Sequence, residues 1–205
     1  MKRVPIFATL LVALAVAAML GLGVWQLQRR GEKEAALTLY AANLGKPAIP
    51  FPSPPIGDTL LFRRAHAMCV EPLGWRKQGG RSIKGLKGWR QIVECRTGAE
   101  GPGLLVDMGV SPDPGFVPHW AGGRVTGTIT HAPDHRPLIA SAFGGSGPKP
   151  LMLVSDMAAP GLEPTARPDL SSVPNNHLAY AVQWFLFAGV ALVIYGLALR
   201  WRARA

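Results

Sequence analysis

The segment Asn175-Asn176-His177-Leu178-Ala179-Tyr180-Ala181-Val182-Gln183-Trp184 sets an imidazole at the mouth of an uncharged stretch, residues 178–199. On a helix, His177 would share a face with Tyr180, Ala181 and Trp184, at spacings of three, four and seven, and Ala188 would extend it. An imidazole above a small-residue step, flanked by aromatic rings, can ligate a metal such as haem iron through one ring nitrogen. The competing reading is an interfacial histidine within an ordinary Tyr/Trp belt. The residues alone leave both open.

A second group lies near the other end. Trp25, Gln26, Arg29 and Lys33 fall along one helical stripe, with Arg30 beside it. Cations just outside an apolar run can pair with a carboxylate such as a haem propionate. Headgroup contact and snorkelling is the competing reading, and the physics of the sequence favours it. Deeper in the same run, Ala13, Ala17 and Gly21 recur at intervals of four, a small-residue stripe expected to let another helix approach closely.

The remaining candidates are weaker. His131 and His135 flank Pro133 and Asp134, and the proline spoils the i,i+4 presentation a metal would need, which favours loop histidines. His66 and His119 have no close ligand partner in sequence. Cys69 and Cys95 are an even pair without zinc-site spacing, read as a structural disulfide tying two neighbouring strands. Copper or redox chemistry using these cysteines with Met68 and nearby histidines is the alternative. Ser141, Ser146 and Ser155 lack a nucleophile-elbow setting, and Gly144 to Gly147 fits no phosphate-binding or dinucleotide loop. The expectation is that the protein is not an enzyme.

The elements that must position these groups follow from charge and hydropathy. Of 205 residues, 48% are hydrophobic, and the excess sits at the two ends. Residues 4–24 and 178–199 form runs of 21 and 22 residues without a charge. About 20 helical residues cross a bilayer, so both runs are long enough to span. Lys2 and Arg3 before the first run also fit a cleavable signal peptide, but its length favours an uncleaved anchor. Arg200, Arg202 and Arg204 crowd the end of the second run, which puts the C-terminus in the cytoplasm and the middle of the chain outside it.

Residues 29–174 hold 17 of the 22 basic residues and all 12 acidic ones, a balance near +5. Seven cations crowd one stretch: Arg76, Lys77, Arg81, Lys84, Lys87, Arg90 and Arg96. That patch suits anionic lipid headgroups or an acidic protein face, or is simply a solvated basic hairpin. Nucleic acid is not expected as a partner in that compartment. Residues 30–44 are rich in helix formers and should continue the first helix outward, with Gly31 a weak point, until Gly45 and Pro47. Pro50, Pro52, Pro54 and Pro55 predict an extended connector.

Residues 59–70, 89–97, 104–110, 124–130 and 151–155 read as strands, bounded by turn-forming clusters. Val125 and Ile129 should share a face, with Gly127 a bulge. Gly74-Trp75-Arg76 and Gly88-Trp89-Arg90 read as the two ends of one hairpin. The expected fold is two transmembrane α-helices flanking a mainly β external domain, a small antiparallel sheet or partly open barrel. Its expected parts are a cytoplasmic N-terminus 1–3, a membrane helix 4–25, a helical extension 26–45, a periplasmic β-rich domain 46–174, a membrane helix 175–199 and a cytoplasmic tail 200–205.

Two flanking motifs resemble a known family. The segment Leu22-Gly23-Val24-Trp25-Gln26-Leu27-Gln28-Arg29-Arg30-Gly31-Glu32-Lys33 resembles the first signature of the Surfeit locus protein 1 family. Asn175 to Phe185 resembles its last. Between them, Leu104 to Pro112 and Gly123 to Thr130 resemble two of its strands, although Met108 and Val110 stand where Arg and Trp are usual. The resemblance implies a membrane-anchored assembly factor for a haem-copper terminal oxidase, cytochrome c oxidase, in the bacterial inner membrane. It implies haem a as a transient cofactor with His177 as iron ligand, and Tyr180, Trp184, Trp25, Gln26 and Arg29 around it. Its implied partners are the oxidase large subunit, the haem a synthesis machinery and membrane lipids. The alternatives are a cofactor-free docking chaperone and a periplasmic metal or redox protein.

Overall fold

A computed structural model describes residues 5–52, 57–98, 103–133 and 149–204. Lys2, Arg3, Pro54, Pro55, Asp134, His135, Ser141, Ser146 and the glycines 144–147 lie outside the described residues. The chain divides into a helix unit, Met1–Leu37 with Val173–Ala205, and a sheet unit, Thr38–Ser172.

Helix α1 runs Ile6–Leu44 without a break at Gly31, and α2 runs His177–Arg204. Both are long and apolar enough to cross a membrane. Within the helix unit they lie antiparallel. Thr9 Oγ1 meets Tyr195 OH at 2.5 Å near one end, and Gln26 meets His177 near the other. Thr9, Val16 and Gly23 are spaced by seven, as are Ala181, Ala188 and Tyr195, and these positions are the less exposed ones. A seven-residue repeat is the seam of a left-handed antiparallel pair.

The expected stripe of Ala13, Ala17 and Gly21 is not that seam. All three are exposed, and a Cβ on Gly21 would meet nothing within 4 Å. Gly23 is the close-approach glycine instead, since a Cβ there would sit 2.5 Å from the Phe185 ring. Intervals of four drift around the helix, whereas alternate steps of three and four stay on one face.

The sheet unit contains seven strands: β1 (Ile49–Pro50), β2 (Arg64–Cys69), β3 (Glu71–Arg81), β4 (Lys87–Arg96), β5 (Leu104–Ser111), β6 (Gly123–His131) and β7 (Leu151–Ser155). They form one open, mixed sheet in the order β1-β2-β6-β7-β5-β4-β3. The pairs β1–β2 and β5–β7 are parallel, and the others antiparallel. The core lies at the middle strands: Ile129 on β6, Leu153 on β7 and Val106 on β5 are fully buried.

Several local expectations change. Residues 59–63 are not strand, because a 3-10 turn at Asp58–Leu60 precedes Phe62, which takes a left-handed backbone (φ 62°) and packs on Tyr40. Gly127 is no bulge: it keeps regular register on both sides, and the position needs a glycine because a Cβ there would lie 2.0 Å from the Val154 carbonyl oxygen. The register shifts fall at Pro72/Gly74 and Arg90/Ile92. The hairpin exists as β3–β4, but Trp75 lies opposite Val93 and not near Trp89.

Cys69 and Cys95 are disulfide-bonded, with a Cα–Cα distance of 5.2 Å. They join β2 to β4, which are not sheet neighbours, since β6, β7 and β5 lie between them in the sheet order. Next to the bridge, the Val70 N–H donates to the Arg96 carbonyl oxygen at 2.8 Å. The bond therefore draws distant parts of an open sheet together at one end.

Asn43, near the end of α1, is almost fully buried and donates to the Thr59 and Leu61 carbonyls at 2.8 and 3.0 Å. That contact ties the last turns of the helix to the sheet unit, whose residues they are.

Candidate functional site

His177 is the first residue of α2, and the N–H of Tyr180 closes the first turn on the Asn176 carbonyl. Its Nδ1 lies 2.7 Å from Gln26 Oε1 on α1. An amide oxygen only accepts, so Nδ1 is the donor in this bond, which does not engage Nε2. A metal-ligating histidine is held by the same device, one ring nitrogen bonded to an acceptor and the other presented. Nearby in sequence, Asn175 Oδ1 is buried without a hydrogen-bond partner.

The helical faces are more finely divided than the spacing predicts. Ala181 is 1% exposed and faces α1 with Ala188, whereas Tyr180 is 51% exposed and points outward. Trp184 is half-buried and meets the Phe187 ring edge-on at 6.2 Å. On α1, Gln26 turns inward to His177, while Trp25 is 47% exposed. The Arg29 guanidinium stands 5.8 Å from the Trp25 ring centroid and pairs with Glu32 at 2.6 Å. Arg30 pairs with Glu34 at 2.7 Å. The arginines expected to await an external carboxylate are thus occupied by helix neighbours, through exposed pairs that weigh little and exchange readily.

The structure joins Gln26 to His177, and Trp25 to Arg29. Phe185 is a packing residue that the spacing did not single out.

The donor set would fit a cofactor whose metal takes a single imidazole ligand. It offers an oriented imidazole nitrogen, with exposed aromatic and aliphatic surface around it and cations one turn along α1. No cluster of three or more His, Cys, Asp or Glu side chains that could hold a bare ion occurs among the described residues. The bridged cysteines have no thiolate to offer a metal.

The sheet unit holds a separate groove of about 390 Å³, lined by Phe51, His66, Met68, Arg124 and Leu151 among others. Its walls are mainly apolar. His131, at the end of β6, is bonded to Asp58 at 2.7 Å, and His135 lies outside the described residues.

Buried chemistry elsewhere in the sheet unit is structural. Asp107 on β5 is 0% exposed and pairs with Arg90 on β4 at 2.6 Å. It also accepts from the Thr165 hydroxyl at 2.8 Å and the Gly109 N–H at 3.1 Å. Burial pushes its carboxyl above the ordinary range, against the Arg90 charge and these hydrogen bonds, which pull it down.

A family model described as the SURF1 family matches residues 13–189. The chain belongs to the SURF1 family. A SURF1-like protein of Monosiga brevicollis is 23% identical over 211 positions, covering 85% of this chain and 81% of the relative. The matched span includes Gln26, the whole sheet unit and His177. The SURF1 family is generally associated with cytochrome c oxidase assembly, and it is an assembly-factor family, not a known enzyme family.

Proposed function

We propose that this SURF1 family member is a membrane-anchored, non-enzymatic factor that binds haem a through His177 and assists its insertion into the large subunit of cytochrome c oxidase. The observation that carries the reading is the 2.7 Å bond between His177 Nδ1 and Gln26 Oε1, which leaves Nε2 available. The bond joins the first residue of α2 to the middle of α1, two helices able to cross a bilayer. Haem, when bound, would supply an iron that an imidazole can ligate, and His177 would be the residue that holds it. The chain's own residues orient that imidazole and offer ring surface through Trp25, Tyr180 and Trp184. Arg29 can exchange Glu32 for a propionate.

The proposed setting is a bacterial inner membrane, with both termini cytoplasmic and the sheet unit periplasmic. The Cys69–Cys95 bridge supports an oxidising compartment for that unit, and Arg200, Arg202 and Arg204 support a cytoplasmic C-terminus. The proposed partners are the oxidase large subunit, the haem a synthesis machinery and the surrounding lipid.

The deciding experiment is absorption spectroscopy of detergent-purified protein, made with and without haem a synthesis. Wild type should carry haem with a Soret band that is lost or displaced in His177→Ala. An unchanged spectrum and haem content in that variant would remove His177 from the site. Absence of haem from the wild type would leave the cofactor-free docking chaperone.

A further inference from the structure

We propose that the tip of the β3–β4 hairpin is a docking surface for an anionic phospholipid bilayer. Most of the seven clustered cations are already occupied within the sheet unit. Arg76 pairs with Glu94 at 3.0 Å, Lys84 with Glu163 at 2.9 Å, Arg90 with Asp107, and Arg96 with Glu71. Lys77 donates to the Pro114 carbonyl at 2.7 Å. Arg81 and Lys87 have no ion-pair partner among the described residues, and they are register partners where the hairpin ends. Two like charges directly across a strand pair repel each other.

Between these cations the turn exposes apolar side chains. Ile83 is 57% exposed and Leu86 41%, with Trp89, also 41% exposed, two residues beyond Lys87. The tip is firmly held. Ser82 N–H donates to the Leu86 carbonyl and Gly85 N–H to the Ser82 carbonyl, each at 2.9 Å. From outside the hairpin, Ile83 N–H donates to the Pro164 carbonyl, Ala166 N–H donates to the Arg81 carbonyl, and Ser82 bridges to Thr165. Two aliphatic side chains are therefore fixed in water between uncompensated positive charges. A bilayer interface resolves both: aliphatic groups enter the acyl boundary while flanking Arg and Lys reach phosphates.

A lipid surface is also within reach. Ala166, in the strap that clamps the tip, is eleven residues before His177, the first residue of a helix able to span a membrane. Eleven extended residues reach at most about 40 Å. The inference is independent of haem and needs only that α2 crosses the bilayer.

The test uses full-length protein in nanodiscs with Ile83→Cys carrying a nitroxide, the native cysteines being bonded to each other. Collision rates with oxygen and with a water-soluble nickel chelate are compared in phosphatidylcholine discs and in discs containing phosphatidylglycerol. Oxygen access should rise and nickel access fall several-fold in the anionic discs. Arg81→Glu with Lys87→Glu should abolish that change, while a label at Val117, also exposed, should stay water-accessible throughout. A label at 83 that is equally water-accessible in both lipids overturns the proposal. So does one that is shielded only when purified oxidase large subunit is added, which would assign the tip to a protein partner.

Discussion

His177 Nδ1 and Gln26 Oε1 lie 2.7 Å apart although 151 residues separate them, so the imidazole's tautomer is set by the other helix. Removing the acceptor removes the preference, and Gln26→Leu should let His177 sample both tautomers. Nitrogen NMR of the haem-free protein in micelles reads this directly. Wild type should show a protonated Nδ1, and the variant a mixture. Haem affinity should fall about 10- to 100-fold, as for loss of other outer-shell partners. A wild-type spectrum with Nε2 protonated would contradict the assignment whether or not haem binds.

Gly23 and Phe185 pack closely across the two helices, with the ring where a Cβ on Gly23 would sit. Gly23→Ala gains about 1 kcal/mol of helix propensity and needs only a small turn of the Phe185 ring, so it should be nearly neutral. Gly23→Leu overpacks the seam and should cost about 1–3 kcal/mol in detergent melting. Much of that cost should vanish in the Phe185→Ala background. Equal costs in both backgrounds would show that the ring is not the obstacle.

The spans were legible because an uncharged run of 21 or 22 residues is a one-dimensional signal. The seam between them was not, because a helix apolar on every side offers no moment to say which face meets its partner. Gln26 and His177 could be singled out from the chain, but nothing in either segment fixes their mutual contact. Strand β3 was hidden by Pro72, Gly74, Gly79, Gly80 and its cations, poor strand formers that an edge position tolerates. Gly127 was legible as special, yet its reason, the neighbouring Val154 carbonyl, belongs to a strand distant in sequence.

The Cys69–Cys95 bond closes a loop of sequence separation 26, for which chain entropy predicts about 3.5 kcal/mol of stabilisation. Cys69→Ser with Cys95→Ser should lower the unfolding free energy of the sheet unit by about 2–4 kcal/mol, and reductant should do the same to wild type. Hydrogen exchange at β2 and β4 should rise more than at β7, whose five residues are all buried. Uniform loss of protection across the sheet would mean that the bridge supports the whole unit and not one end.

Arg90 and Asp107 form a buried pair in which the aspartate has no access to water. Arg90→Met leaves that carboxylate uncompensated and should cost about 3–5 kcal/mol, whereas Arg90→Met with Asp107→Asn should recover much of the loss. The pH dependence separates charge from packing. Burial holds the folded carboxyl above 3.8, so the stability it contributes is complete below that value and is lost as pH rises through the folded value. Without Arg90 the folded value climbs further, and Arg90→Met should lose more stability than wild type on going from about pH 4 to about pH 8. The double variant should lack this component. Parallel pH profiles for wild type and Arg90→Met would mean that Arg90 acts there through packing and not through its charge.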